Sequence, residues 1–326
     1  MARPASQLTE GLGVVLSRRN ATLLFVRRTP RAHRSAFVLV LAPLLLVASA
    51  VAEAPSQGSP SPGEKVVEWT LPGLPEPSGV VYHSIRKTLF VISDEGGIGE
   101  VTLEGNVKSS RALGGDLEGI TFDPATGYLY VIREGHEILF EVDPDRFAIR
   151  RRFTVDRAFE GDPDFLERGG DGIEGVTFVP DSAHPEGGRF FAVNQYDPPA
   201  LIELAVPLRT SRERFERARV LRAFRIASPP LSDVSWHAIL GVFLVPSALW
   251  RSVHVVDPAG SRLRTVRVPG IMQEGVAALP GGAYVIAQDT GGLIRWEPVS
   301  EPFAATIADG PTSEHAPKKE PDDHSH

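Results

Sequence analysis

Five times between residues 75 and 279 the chain repeats one short word, in which an acid leads into an apolar β-strand. The words are "PEPSGVVY" at 75–82, "DLEGITFD" at 116–123, "GIEGVTFV" at 172–179, "LSDVSW" at 231–236 and "MQEGVAAL" at 272–279. Their acids, Glu76, Glu118, Glu174, Asp233 and Glu274, stand 42, 56, 59 and 41 residues apart. A recurrence of roughly 40–50 residues, built from strands alone, is the signature of propeller blades. No other feature restricts the fold as much, because one such unit cannot bury its own apolar faces and needs neighbours on both sides.

Each unit continues alike. A turn such as "DPATG" leads to a second apolar strand: "TLFVIS", "YLYVIR", "RFFAVN", "GVFLVP" and "AYVIAQ". A third strand follows ("GIGEVTL", "ILFEVD", "ALIELAV", "SVHVVDP", "LIRWEP"), and a fourth, rich in Arg, closes the first four units. The inner strands are almost wholly apolar and the outer ones alternate, as expected when burial falls with distance from an axis. The fifth unit lacks a fourth strand, but a lone strand, "KVVEWTL" at 65–71, precedes the first. The reading is an all-β, five-bladed β-propeller of four-stranded blades, closed by strand 65–71 completing the last blade. A six-bladed alternative needs roughly 40 further residues, and the stretch has none to spare. The 31 Gly and 28 Pro supply the many turns. Two insertions stand out: "DRAFEGDPDFLERGGDG" at 156–172 precedes the third lead strand, and "LRTSRERFERAR" at 208–219 reads as a short charged surface helix.

The ends of the chain differ in character. "AFVLVLAPLLLVASAVA" at 36–52 carries no charge and follows the basic run "RRTPRAHR". Residues 1–52 therefore read as a signal peptide or an N-terminal membrane anchor, and either places the remainder outside the cytoplasm. Residues 53–64 form a flexible linker, 65–299 the propeller and 300–326 a disordered polar tail. A net charge of −7 argues against nucleic-acid binding, and the absence of Cys removes disulfide and thiolate chemistry. Contact with a membrane is expected only through the N-terminal segment, and the protein is expected to be a monomer.

The five lead words, the third strand "LFEVDP" and the ending "EGVAALPGGAYVIAQDTGGLIRWEP" resemble the SdiA-regulated, YjiK-like family of exported bacterial β-propellers, which includes the calcium-regulated CarP-type proteins. The resemblance spans about residues 65–298. It implies a five-bladed propeller outside the cytoplasm, with calcium as the associated ion and a proposed phytase-like or esterase-like role. Blade four departs from the pattern, with Trp236 and His237 following its acid.

Residues at matching positions of the innermost strands form a ring. Glu76, Glu118, Glu174, Asp233 and Glu274 would bring several negative charges together, and their repulsion costs several kcal/mol unless neutralised. Ca²⁺ suits such a ring, taking six to eight oxygen ligands. Zinc would require His or Cys at spacings the chain lacks. Glu118, Glu174 and Glu274, each followed by Gly, are the favoured ligands. The alternative is structural: the acids accept backbone N–H groups of the next blade and stitch the ring. A catalytic role for them is a third possibility. Ser78 reads as occupying the small position that is Gly in three sister words. A second set of oxygen-bearing side chains, Asp94, Glu134, Asn194, Gln195 and Gln288, ends the second strands and offers a ligand-binding face. No motif for nucleophilic catalysis is present. The expected function is an exported calcium-binding propeller with a binding or regulatory role, its partner a small anionic ligand or a protein. The alternatives are a calcium-dependent hydrolase, phytase-like or a lactonase or esterase, and a protein-interaction scaffold.

Overall fold

Among the described residues twenty strands carry the fold, and their alternating faces explain how the sheets find one another. The computed structural model describes residues 62–166, 172–227 and 230–304. The signal or anchor segment 1–52, the linker through residue 61, part of the 156–172 insertion and the tail from residue 305 lie outside the described residues. In chain order the strands are β1 (Lys65–Trp69), β2 (Pro77–His83), β3 (Thr88–Ser93), β4 (Gly97–Val101), β5 (Val107–Ala112), β6 (Leu117–Phe122), β7 (Leu129–Arg133), β8 (Ile138–Asp143), β9 (Ala148–Asp156) and β10 (Ile173–Pro180). They continue with β11 (Gly188–Asn194), β12 (Ala200–Ala205), β13 (Phe215–Arg225), β14 (Ser235–His237), β15 (Val242–Ser247), β16 (Ser252–Val256), β17 (Arg262–Arg267), β18 (Gln273–Ala278), β19 (Tyr284–Gln288) and β20 (Leu293–Glu297).

These strands form antiparallel meanders. β2–β5, β14–β17 and β18–β20 each make a four-stranded sheet, the last with β1 paired against β20 from Lys65↔Glu297 to Trp69↔Leu293. The meanders β6–β9 and β10–β13 are joined into one eight-stranded sheet, because β13 runs parallel to β9 from Phe215↔Arg152 to Arg219↔Asp156. That pairing corrects the expected helix at 208–219. Residues 208–214 form a connection, and from Phe215 the chain is a strand that buries Ala218 and Val220. Alternation at a spacing of two is a strand pattern, whatever the charge density around it.

The second strand of each meander is buried on both faces, and each face serves a different neighbour. Phe90 and Ile92 of β3 pack with Leu129 and Val131 of β7, whereas Leu89 and Val91 pack with Val285 and Ala287 of β19. Tyr130 and Ile132 of β7 meet Phe190 and Ala192 of β11. Phe191 and Val193 then meet Phe243 and Val245 of β15, and Val242 and Leu244 meet Tyr284 and Ile286 of β19. Apolar contact thus passes from meander to meander and returns from the last to the first. The chain is a β-propeller.

The lead strands meet by backbone. A Cβ on Gly119 would lie 2.5 Å from the Val176 nitrogen, and one on Gly175 would lie 2.5 Å from the Asp233 Cα. Only glycine permits that approach, which accounts for the Glu-Gly pairs in the repeated word.

Candidate functional site

A β-bulge sets the direction of each lead-strand acid. The register shifts between Pro77 and Gly79, Leu117 and Gly119, Ile173 and Gly175, and Gln273 and Gly275. The extra residue at each shift is Ser78, Glu118, Glu174 or Glu274. A bulge re-aims the side chain it carries, and four bulges at one end of the lead strands aim four side chains alike. The glycine, not the acid, is therefore the common reference. Ser78 is the counterpart of Glu118, and Glu76 lies two residues before it, as Asp116 lies before Glu118. This corrects the assignment of Ser78 to the glycine position. The Ser78 hydroxyl donates to the Leu117 carbonyl, tying the first lead strand to the second.

Around these bulges the acids converge. One carboxylate oxygen from each of Glu76, Asp94 and Asp289 lies within 4.8 Å of the others, and the same holds for Asp94, Asp116 and Glu118. A cavity of about 660 Å³ opens there, lined by Asp94, Glu95, Asp116, Glu118, Glu134, Glu174 and Gln195. Among the described residues no arginine or lysine pairs with Asp94, Asp116, Glu118, Glu134, Glu174, Glu274 or Asp289. The Asp94 Oδ1 is buried without a hydrogen-bond partner.

The electrostatic consequence is large. Burial, then the charges of Glu174 and Asp94, push the Glu118 carboxyl up to about 12. Burial and Glu134 raise Glu174 to about 10, and burial with Asp289 and Asp94 raises Glu274 to about 8. Asp94 rises to about 7, chiefly by burial, against a lowering contribution from the Ser78 hydroxyl. Glu134 is also raised, by burial first. Burial and mutual repulsion thus disfavour the charged form of these carboxylates, which ordinary carboxyl groups adopt at neutral pH.

The five acids read from the repeat are not equivalent. Glu118, Glu174 and Glu274 share the bulge position. Glu76 reaches the same cluster from an exposed residue held at φ 48. Asp233 is wholly enclosed, raised well above the usual carboxylate range by burial, and accepts the backbone N–H groups of Val234 and Val276. Its Oδ1 stays without a partner. Of the second set, Asp94, Glu134 and Gln195 line the cavity, whereas Asn194 and Gln288 face away. The Asn194 amide donates to the Tyr196 and Pro198 carbonyls at 2.7 and 2.9 Å, and the Gln288 carbonyl accepts the Ile271 N–H at 2.9 Å. Both fasten loops.

Asp116 and Asp289 belong to the cluster although the repeated word does not single them out. Asp289 has a backbone signal: its N–H bonds to the Met272 carbonyl, as Asp94 bonds to Glu76 and Glu134 to Asp116. Asp94, Glu134, Gln195 and Asp289 thus occupy one position, one residue beyond the second strand. Asp116 is the counterpart of Glu76.

Residues 64–280 match the family described as SdiA-regulated, and the chain belongs to that family. No curated protein sequence matches it. Among solved structures, the glutaminyl cyclase of Myxococcus xanthus aligns with a TM-score of 0.50 at 14% identity, over 72% of this chain and 95% of that one. Hydrazine synthase from Kuenenia stuttgartiensis gives 0.42 at 15% identity, over 66% of this chain and 56% of its own. A β-propeller domain of Cps50 (Swd1), described as from Myceliophteria thermophila, gives 0.38 at 12% identity, covering 65% and 62%. The first of these likenesses concerns the fold, and at such identities none bears on activity.

Proposed function

We propose that this protein is an exported, five-bladed calcium-binding propeller whose acidic axial end holds the ion and serves a binding or regulatory role. The observation that carries this reading is the convergence of carboxylates at one end of the lead strands with no basic side chain among the described residues paired to them. The donor set fits calcium. It is made of oxygen alone, it is multivalent, and it includes a buried oxygen, Asp94 Oδ1, with no other partner. Asp94 belongs to both close triads, so it would be the shared ligand, with Asp116 and Glu118 on one side and Glu76 and Asp289 on the other. Water and the remaining carboxylates would complete the six to eight oxygens calcium requires.

A bound ion would supply positive charge that neutralises the cluster and leaves open positions facing the cavity for an anionic group. The chain's own residues set the conditions. Glu118, Glu174 and Glu274 hold their protons in the ion-free state, so binding must release protons and weaken as the pH falls. Export follows from the basic run and apolar segment at the N-terminus.

Calorimetry of Ca²⁺ binding to the purified protein tests the reading, with Glu118→Gln and Asp94→Asn beside it. Saturable binding with release of protons is expected, weakened roughly tenfold or more in each variant. Absence of binding by the parent protein, or full affinity in both variants, would overturn it.

A further inference from the structure

The junction between the meanders β6–β9 and β10–β13 holds a second cavity, of about 470 Å³, and its walls are basic. Five arginines line it: Arg150 and Arg151 from β9, and Arg209, Arg212 and Arg214 from the connection that precedes β13. The Arg151 guanidinium fastens that connection, donating to the Leu208, Pro207 and Glu213 carbonyls at 2.8, 2.9 and 3.0 Å. The Arg152 N–H bonds to the Arg214 carbonyl at 2.9 Å. These bonds hold Arg209, Arg212 and Arg214 of the second meander beside Arg150 and Arg151 of the first.

Only two carboxylates share the cavity, and both are already engaged. Glu141 is buried and accepts from Arg150 at 3.1 Å and from the Tyr130 hydroxyl at 3.2 Å. Asp123 is buried, accepts the Ala125 N–H at 2.8 Å, and lies 3.4 Å from Arg209. Arg212 and Arg214 have no carboxylate partner among the described residues, and the Arg214 guanidinium lies 5.9 Å from the centre of the Phe215 ring. Among the described lining residues, five guanidinium groups thus face two carboxylates around one concave space, an excess of positive charge. Converging like charges repel, and a guanidinium fork is shaped to receive a planar or tetrahedral oxyanion through two bonds at once.

We propose that this cavity binds a multivalent oxyanion, a phosphate-bearing ligand. It is separate from the acidic end. Asp123 follows the last residue of β6 whereas Glu118 is the second residue of that strand, so the two sites lie at opposite ends of it, on the order of 15 Å apart. The floor, with Leu208 and Tyr130 buried beside the Tyr128 ring, accommodates an apolar portion of the ligand. Its recognition depends on arginine alone and requires no calcium.

Inorganic pyrophosphate is the probe, titrated calorimetrically into the full chain with excess chelator so that no calcium complex forms. Saturable binding is expected, weakened roughly tenfold or more in Arg212→Gln/Arg214→Gln, because each lost guanidinium removes charge-assisted bonds. Both side chains are exposed, and thermal melting of the variant checks that it folds. Glu118→Gln, at the other end of β6, should leave pyrophosphate binding unchanged. Vesicles containing phosphatidic acid, retained by the parent and not by the double variant, would identify a lipid headgroup as the source. Pyrophosphate binding without vesicle retention identifies a free ligand. No binding of either probe, or equal binding by the double variant, overturns the proposal whatever the result for calcium.

Discussion

Two sets of buried or half-buried glutamates recur through the propeller, one on the third strands and one on the lead strands, and their surroundings are opposite. Glu100, Glu141 and Glu203 stand at matching places on β4, β8 and β12, and each meets a basic side chain. Arg86 and Lys108 reach Glu100 at 3.0 and 2.9 Å, Arg150 reaches Glu141 at 3.1 Å, and Arg189 reaches Glu203 at 3.2 Å. Burial alone would raise Glu100, but Arg86, Lys108 and Thr88 outweigh it and hold its carboxyl down at about 2. Glu118, Glu174 and Glu274 have no such partners and are pushed the other way. On the third strands the chain therefore supplies arginine to each buried acid that only has to be tolerated. Its omission at the axial end is what an external cation would explain, since a resident guanidinium would exclude the ion.

The largest expected effect separates the two sets by sign. Glu100→Ala strands Arg86, Lys108 and Thr88 together. Breaking a fully buried pair costs about 3–5 kcal/mol, and because both basic partners reach water here the expected loss is about 2–3 kcal/mol. Glu118→Gln, measured without calcium at pH 8, should leave stability unchanged or raise it, because the fold must keep protonated a carboxyl that the unfolded chain ionises at that pH, and Gln removes that cost. Urea denaturation of the two variants is the measurement. Equal losses in both would erase the distinction.

Stability against pH sharpens the same comparison. Glu100, lowered in the folded state, contributes stability above the unfolded carboxylate value, and that is lost as pH falls from about 4 towards 2. Glu118 and Glu174, raised in the folded state, contribute most below that value, and their contribution is lost as pH rises from about 4 towards 10. The calcium-free protein should therefore melt at progressively lower temperature between pH 5 and pH 9. Calcium at about 100 times its Kd should restore about 2.7 kcal/mol at pH 8, a rise of roughly 5–10 °C, and have little effect at pH 4.5. A calcium-free melting temperature that does not fall as pH rises, or a calcium shift of equal size at both pH values, would count against the unneutralised cluster.

How far this site can be read from the chain alone depends on the reference residue chosen. The apolar runs expose the repeat because second strands buried on both faces leave continuous stretches such as "TLFVIS". Aligning on the acid, however, sets Glu76 against Glu118, whereas the backbone sets Ser78 there, because the glycine is what the next lead strand touches. A slip of one residue at a strand end has a similar result. Asn194 and Gln288 look equivalent to Asp94, yet the matching backbone position is one residue further on, which keeps Gln195 and puts Asp289 in place of Gln288. The cluster is assembled from the ends of separate strands, and no single stretch contains more than part of it.

The smallest effect concerns what stitches the lead strands if the glutamates do not. The Phe178 N–H donates to the Thr121 Oγ1 at 3.0 Å, and the Trp236 N–H donates to the Thr177 Oγ1 at the same distance. The Ser232 hydroxyl donates to the Gln273 carbonyl at 2.8 Å. Hydroxyl groups thus join successive lead strands, and each threonine lies three residues beyond a bulge glutamate. Thr121→Val keeps the side chain's shape and removes the acceptor, leaving one buried N–H without a partner, at a cost of about 1–2 kcal/mol. Its calcium affinity should equal that of the parent, since the stitch and the ion site use different atoms. Melting and calorimetry on this one variant measure both quantities. If Thr121→Val weakened calcium binding as much as Glu118→Gln does, the lead strands would be adjustable ligand carriers rather than a frame, and the contrast between paired and unpaired acids would no longer by itself account for the site.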